Sequence, residues 1–403
     1  MGRNVLIIAH FCSDFDGNGN NRFNYLAGLL SENQFDVELV TSDFSHNKKM
    51  KRSKIGEQLK YKVTLISEPV YQKNISINRI FSHYIMGRNL NKYLKGRKIP
   101  DVIYCAVPSL DVAGIASRYA QKNNIRFIID IQDLWPEAFK LVLHMPVISD
   151  FLFYPMRRQA DFIYAAADEI IAVSKSYADR ALKVNKKCKK AHSIFLGTEL
   201  ASFDKSAEEN KEIDKPKYEI WLAYIGTLGH SYDLTCVIDA LKILQDKGIK
   251  NIKFVVMGDG PLKSKFEEHA IKQGIYAEFM GRLDYEKMVG ILTACDIAVN
   301  PITKGAAQSI INKHADYVAA GLSIINTQEC PEYRELISDY NAGLNCENNN
   351  PTDLAEKLLV LCRDELLRKT MGQNSRRLAE DMFDRKQTYQ KIASIINNSL
   401  LFN

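Results

Sequence analysis

Apolar residues recur along this chain in two rhythms. In the first half, short unbroken runs (residues 5–9, 37–41, 63–66, 102–105, 127–130 and 170–173) alternate with stretches where apolar positions return every three or four residues. The runs predict buried strands. The spaced patterns predict amphipathic helices over 22–32, 78–94, 111–122 and 150–167, the first with Phe23, Leu26, Leu29 and Leu30 on one face. Strands apolar on both faces and separated by helices form a parallel sheet covered on either side. A polar, charged stretch over 201–217, with Pro216 near its end, reads as a linker. After it the alternation restarts. Strands are expected at 220–225, 253–257, 277–280, 297–300 and 323–326, and helices at 233–245, 262–273, 286–294, 311–320 and 354–361. The helical patterns after residue 364 have no following strand. The expected fold is α/β: two Rossmann-like, doubly wound parallel-sheet domains facing a central cleft. The first spans 1–200 and the second 218–380, and a terminal helix within 381–403 packs back on the first. Ligands of such sheets bind at the carboxyl ends of the strands.

Composition narrows the class. A chain of 403 residues exceeds one ordinary core, which agrees with two domains. Hydrophobic residues at 46% and charged residues at 25% are globular values and exclude wholesale disorder. The net charge of +6 suits an anionic ligand or membrane surface. Nucleic acid is disfavoured, because the basic runs lack interleaved aromatics and any reader motif. The cysteines are scattered, without a C-x-x-C pair or zinc spacing, and read as reduced thiols in a cytoplasm. The apolar run at 5–9 is too short for a signal peptide, and Leu6 occupies the place where a myristoylation signal needs Ser or Thr. No run reaches ~18 uninterrupted apolar residues, so no transmembrane helix is expected.

Candidate chemistry concentrates in the second half. Gly226 and Thr227 follow an apolar strand and precede a helix, a turn where backbone can approach a ligand and free N–H groups suit a diphosphate. Gly258 and Gly260-Pro261 repeat the arrangement one strand later, with Pro near the first helical position. Each turn reads equally well as a clean helix start. Gln308, Ser309 and Ile310 open a third segment, in which Lys313 adds positive charge and Asp316 lies eight residues after Gln308, near the same helical face. An acid there can accept hydrogen bonds from the vicinal hydroxyls of a ribose. Arg282 is a further candidate cation.

In the first half, Asp133 follows the strand at 127–130 and either orients or deprotonates an acceptor hydroxyl, or caps the turn before Trp135-Pro136. His10 ends the first strand and is a weaker catalytic candidate. Asp14-Phe15-Asp16 mimics an Asp-x-Asp metal motif but reads as a solvated turn. The following Gly17 and Gly19 bend the chain where a donor phosphate would approach. Basic clusters at 48–54 and 183–190, with the apolar segment 141–156 and Arg157-Arg158 between them, suit docking on an anionic bilayer as well as they suit a solvated face.

The order of these motifs resembles the retaining glycosyltransferases of family 4. Asn312-Lys313-His314-Ala315-Asp316-Tyr317-Val318-Ala319-Ala320-Gly321 resembles that family's donor-site run, preceded by the two glycine turns in the family's order. Asp130-Ile131-Gln132-Asp133-Leu134-Trp135-Pro136-Glu137 resembles the Asp-Leu-Trp-Pro-Glu signature of a branch acting in capsule and O-antigen assembly. The resemblance implies the GT-B fold and transfer of a hexosyl or N-acetylhexosaminyl group with retention. It implies a nucleotide-diphosphate donor such as a UDP-sugar and a saccharide acceptor on a polyprenyl diphosphate. No metal or cofactor is expected, and the place of action is the cytoplasm or the inner face of the cell membrane. Asp316 stands where the family's ribose-holding Glu would be, and Gln308 stands where its first Glu would be. Thr227 occupies a place where many members carry Arg. The competing readings are a non-catalytic nucleotide-sugar or saccharide binder and a nucleotide-sugar epimerase of the same fold.

Overall fold

The computed structural model describes residues 2–15, 22–52, 59–74, 76–140, 151–306, 309–310 and 312–397. The chain divides into two compact units, Met1–Ile194 with Tyr389–Asn403, and Phe195–Thr388.

The first unit is built on a seven-stranded sheet. Its strands are β1 (Asn4–Ile8), β2 (Asp36–Ser42), β3 (Lys62–Ile66), β4 (Val102–Val107), β5 (Arg126–Ile131), β6 (Glu169–Ala172) and β7 (His192–Ser193), in the order β3-β2-β1-β4-β5-β6-β7. Every pairing in it is parallel. Helices α1 (Arg22–Glu32), α2 (Ile77–Gly96), α3 (Leu110–Lys122), α4 (Tyr154–Ala166) and α5 (Lys175–Leu182) make the connections. The strand order reverses direction at β1, so the connections leaving the carboxyl ends of β1 and β4 run opposite ways, the place where ligands of such sheets bind. Val5, Ile7 and Ala9 pack with Phe23, Leu26 and Leu30 of α1, and with Tyr389, Ile392 and Ile396 of the terminal helix. The sheet is thus completed by residues almost two hundred positions beyond its last strand.

The second unit carries a six-stranded parallel sheet. Its strands are β8 (Ile220–Ile225), β9 (Ile252–Met257), β10 (Ala277–Gly281), β11 (Ile297–Asn300), β12 (Ser323–Asn326) and β13 (Gly343–Asn345), in the order β10-β9-β8-β11-β12-β13. β8 shows why its run is apolar without alternation. Ile220, Leu222 and Tyr224 enter one core, and Trp221, Ala223 and Ile225 enter the core on the opposite face. Its helices are α6 (Leu200–Glu209), α7 (Leu234–Asp246), α8 (Lys263–Gln273), α9 (Tyr285–Ala294), α10 (Lys313–Ala319), α11 (Pro331–Asp339), α12 (Pro351–Arg363) and α13 (Glu365–Leu378). A final helix, α14, covers Arg385–Asn397.

The expected linker is corrected here. Its first half is α6, because Leu200, Phe203 and Ser206 fall on one helical face and bury in the second unit while the charged residues face water. Ion pairing of Asp204 with Arg376 ties the helix to α13. The first unit accordingly ends at Ile194, before the expected boundary at 200. Elements too short or too polar to show in the apolar pattern are β7, β13 and α11. Among the described residues no helix is long and apolar enough to cross a membrane.

Candidate active site

At the carboxyl end of β8 the chain turns through Gly226, whose φ of 126° favours glycine. The next turn, after β9, lies directly against it. A Cβ on Gly258 would sit 1.8 Å from the Gly226 carbonyl oxygen, and a Cβ on Gly226 would sit 3.1 Å from Lys313 Nζ. Backbone bonds from Gly226 N to Met257 O and from Leu228 N to Asp259 O, both 2.9 Å, hold the two turns together. Gly258 therefore serves the stacking of the turns on each other. Thr227 is exposed, and its carbonyl accepts from Tyr224 Oη at 2.7 Å.

Lys313 opens α10 and reaches under this pair of turns. Its Nζ stands 4.0 Å from the ring centroid of Tyr224 and 3.8 Å from that of Tyr232. It is buried and has no hydrogen-bond partner. Burial drives its pKa well below the ordinary lysine value. The two ring faces stabilise the ammonium by cation–π attraction, about 2 kcal/mol or more when desolvated, which does not restore the hydration it has lost.

Asp316 lies one helical turn later and is also buried. Tyr285 Oη donates to its Oδ1 at 2.8 Å, and the same hydroxyl lies 3.2 Å from Thr198 Oγ1. Burial raises its pKa to about 6, against the pull of the Tyr285 hydrogen bond and the Arg385 charge. Lys313 and Asp316 thus share a helix but point to different neighbours, the first to the glycine turns and the second to α9. Arg282 is exposed just past the edge strand β10, two strands from β8. Ser309 is buried and offers its carbonyl to Gln328 Nε2 at 2.7 Å, while Ile310 enters the core beside Val318 and Tyr333. Gln308, Gly17 and Gly19 lie outside the described residues.

A buried amide network beneath α10 escaped the sequence reading. Asn300 Nδ2 bonds Asn326 Oδ1 at 2.9 Å and Gln328 Oε1 at 3.1 Å, and His314 Nε2 lies 3.3 Å from the same Gln328 oxygen. Asn300 Oδ1 and His314 Nδ1 are buried without a partner. Polar residues ending both β11 and β12 were the available signal, since an apolar strand that closes on Asn places an amide at the ligand end of the sheet. Tyr317 has a structural task. Its hydroxyl accepts from Ile225 N at 2.9 Å and donates to Val299 O at 3.2 Å, which joins the ends of β8 and β11.

In the first unit, His10 follows β1 and is engaged at both ring nitrogens. Nδ1 lies 2.7 Å from Ser109 Oγ, and Nε2 lies 3.0 Å from Glu68. Glu68 also accepts from Ser42 Oγ at 2.5 Å and Ser82 Oγ at 2.8 Å, and against the effect of burial the His10 contact first, then these bonds, lower its pKa to about 2. His10 is 2% exposed and held by these neighbours. Asp133 accepts from Leu134 N at 2.9 Å and from Trp135 Nε1 at 3.1 Å, and burial raises its pKa. It caps the turn and fixes the Trp135 indole. Around Trp135 the structure gathers Phe11, His83 and Arg79, whose guanidinium lies 5.0 Å from the indole centroid. Asp14, from the Asp-x-Asp sequence, is half-buried and pairs with Lys48 at 2.8 Å and with the buried side chain of Arg52, while Asp16 lies outside the described residues.

This arrangement can be set beside known proteins. The chain is similar to an uncharacterized glycosyltransferase, MJ1069, of Methanocaldococcus jannaschii, with 26% identity over 58% of this chain and 59% of that protein. The chain therefore matches about 59% of the length of the first curated relatives. It is also similar, at 26% identity over 49% of this chain and 52% of the relative, to a Campylobacter jejuni alpha-1,4-N-acetyl-D-galactosaminyltransferase. That relative is named for the acceptor GalNAc-alpha-(1->4)-GalNAc-alpha-(1->3)-diNAcBac-PP-undecaprenol. Among solved structures, Anabaena HepE in complex with UDP superposes with a TM-score of 0.71 at 12% identity, covering 98% of this chain and 99% of that one. Such likeness shows the fold, which is GT-B. The family model that matches is that of the glycosyl transferases group 1, over residues 205–378, which lie within the second unit.

Proposed function

We propose that this protein is a glycosyltransferase. It moves a hexosyl or N-acetylhexosaminyl group from a UDP-sugar to a saccharide carried on a polyprenyl diphosphate, in the assembly of a surface polysaccharide. The observation that carries the reading is the buried, unpartnered Lys313 ammonium against the Gly226 turn at the carboxyl end of β8. During transfer the bond from the anomeric carbon to the diphosphate oxygen breaks and a bond to the acceptor hydroxyl forms. Negative charge gathers on the departing diphosphate, and preorganised donors stabilise it best where water is excluded. Lys313 and the amides of the turn are such donors, and no metal is needed for this role. Asp316 takes the ribose hydroxyls, and Arg282 and Ser309 border the donor. Asp133 and His10 position the acceptor side through Trp135 and Glu68. The Campylobacter relative's lipid-linked acceptor supports the polyprenyl diphosphate, and the HepE complex supports UDP. Retention of configuration follows the family 4 resemblance.

Titration calorimetry with UDP and a panel of UDP-sugars tests the donor site, and UDP release with lipid-linked acceptors tests turnover. Lys313→Met is expected to weaken UDP binding at least ~10-fold, the loss of a buried charge-assisted contact. Unchanged UDP affinity in that variant would overturn the phosphate assignment, and unchanged affinity in Asp316→Ala would overturn the ribose assignment. Tight binding without turnover on any acceptor would leave a nucleotide-sugar binder, the reading that Gln308 in place of Glu favours.

A further inference from the structure

Helix α2 has two faces of opposite purpose. Its inner face serves the first unit: Ser82 donates to Glu68, the His83 ring stacks 5.9 Å from Trp135, and Met86, Leu90 and Leu94 bury. Its outer face carries Ile77, Ile80, Phe81 and Tyr84, exposed by 83%, 70%, 54% and 53%. Arg88, Lys92 and Lys95 follow, all exposed. At ~100° per residue these seven positions fall on a single stripe, apolar over its first two turns and basic over the rest. The helix contains no Asp or Glu. Among the described residues no carboxylate pairs with Arg88, Lys92 or Lys95.

A second patch of the same composition lies nearby in the fold. Phe151, Leu152 and Tyr154 are exposed by 87%, 60% and 56%, and Arg157 and Arg158 beside them are exposed too. A ladder of rings runs from the inner face of α2 to the second patch. The centroids run from His83 to Trp135 at 5.9 Å, from Trp135 to Phe139 at 4.8 Å, and from Phe139 to Phe153 at 5.9 Å. Large apolar side chains exposed side by side mark a surface that something covers.

We propose that this edge of the first unit docks on an anionic bilayer, with α2 lying in the plane of the interface. Ile77, Ile80, Phe81 and Tyr84 enter the boundary between headgroups and acyl chains. Arg88, Lys92 and Lys95 meet lipid phosphates, as in interfacial amphipathic helices. Charge complementarity selects the bilayer over a protein partner: cations follow the apolar stripe turn by turn, α2 itself carries no acid, and the second patch repeats the same pairing of apolar and basic residues. The docked edge carries the Trp135 ladder, so a lipid-linked acceptor would reach that cluster without leaving the membrane. The inference deepens the lipid-linked reading of the acceptor, but its test needs no turnover.

The test is co-sedimentation of the full chain with vesicles of phosphatidylcholine alone or containing phosphatidylglycerol. Wild type is expected to bind the anionic vesicles at least ~10-fold more tightly, and to lose that preference as salt rises. Ile80→Glu with Phe81→Glu is expected to cut binding ~100-fold, and Arg88→Glu with Lys92→Glu to abolish the anionic preference. Both pairs are exposed, and unchanged UDP affinity checks their folding. The proposal is overturned if wild type ignores anionic vesicles or if the charge reversals change nothing. It is equally overturned if sedimentation velocity shows a dimer that Ile80→Glu splits, because the stripe would then be a contact between copies. A protein that binds vesicles but no nucleotide would sink the transferase reading and leave this surface standing.

Discussion

Lys313 and Asp316, three residues apart on one short helix, have both lost water, which favours the neutral form of each and shifts their pKa values in opposite directions. Burial pushes Lys313 toward its neutral form, so a diphosphate that restores the ammonium must bring a proton with it. UDP binding is therefore expected to be accompanied by proton uptake, and Lys313→Met to take up less. Calorimetry in buffers of different ionisation enthalpy reads this directly, and buffer-independent heats would contradict it. Asp316 is raised to about 6, above the ~3.9 of an unfolded Asp. The folded state then holds its proton more tightly, so the carboxyl favours folding most below pH ~4, and that advantage fades as pH climbs through about 6. The difference is about 3 kcal/mol. Asp316→Asn keeps an acceptor for Tyr285 and removes the titration. Its unfolding free energy is expected to gain on wild type between pH 4 and 7 in urea melts, and parallel curves would refute the burial argument.

Elements show where an apolar pattern is informative and where it is silent. β8 and its neighbours were legible because strands buried on both faces need continuous apolar runs. The helix α6 was not, since one buried Phe, one Leu and one Ser suffice to seat it among charged residues that resemble a linker. The glycine turns were visible as turns, but not their mutual contact, which depends on the adjacency of β8 and β9. That contact leads to a test of its own. Gly258→Ala places a methyl group against the backbone carbonyl of Gly226, where no rotamer can relieve it. The variant is expected to lose about 3 kcal/mol of stability. A denaturant midpoint equal to wild type would show that the turns can separate freely.

Across the whole molecule, the chain's end matters as much as its beginning. Arg22 of α1 forms a bidentate pair with Asp130, at 2.7 and 3.0 Å, and also donates to Tyr389 Oη at 3.1 Å. Tyr389, Ile392 and Ile396 are fully buried among the residues of β1 and α1. Deleting 389–403 would remove those three side chains from the core of the first unit, a loss of about 5 kcal/mol. Hydrogen exchange is expected to report faster exchange in β1 and β4, with β8 and β9 still protected. Equal loosening of both units would mean that they do not fold as separate bodies.

Most of the strands and helices and their division into two sheets were determined by sequence, because burial on a periodic backbone imposes periodic hydrophobicity, while Lys313 and Asp316 stood out as polar residues in a motif. Proximity is another matter. That Lys313 sits between two tyrosine rings without a partner, that Asp133 serves Trp135, that His10 is locked by Glu68 and Ser109, and that α2 turns four large apolar side chains to the outside were decided by tertiary structure alone. Each depends on distances between residues far apart along the chain, and one-dimensional patterning carries no record of which side chains finally exclude water from one another.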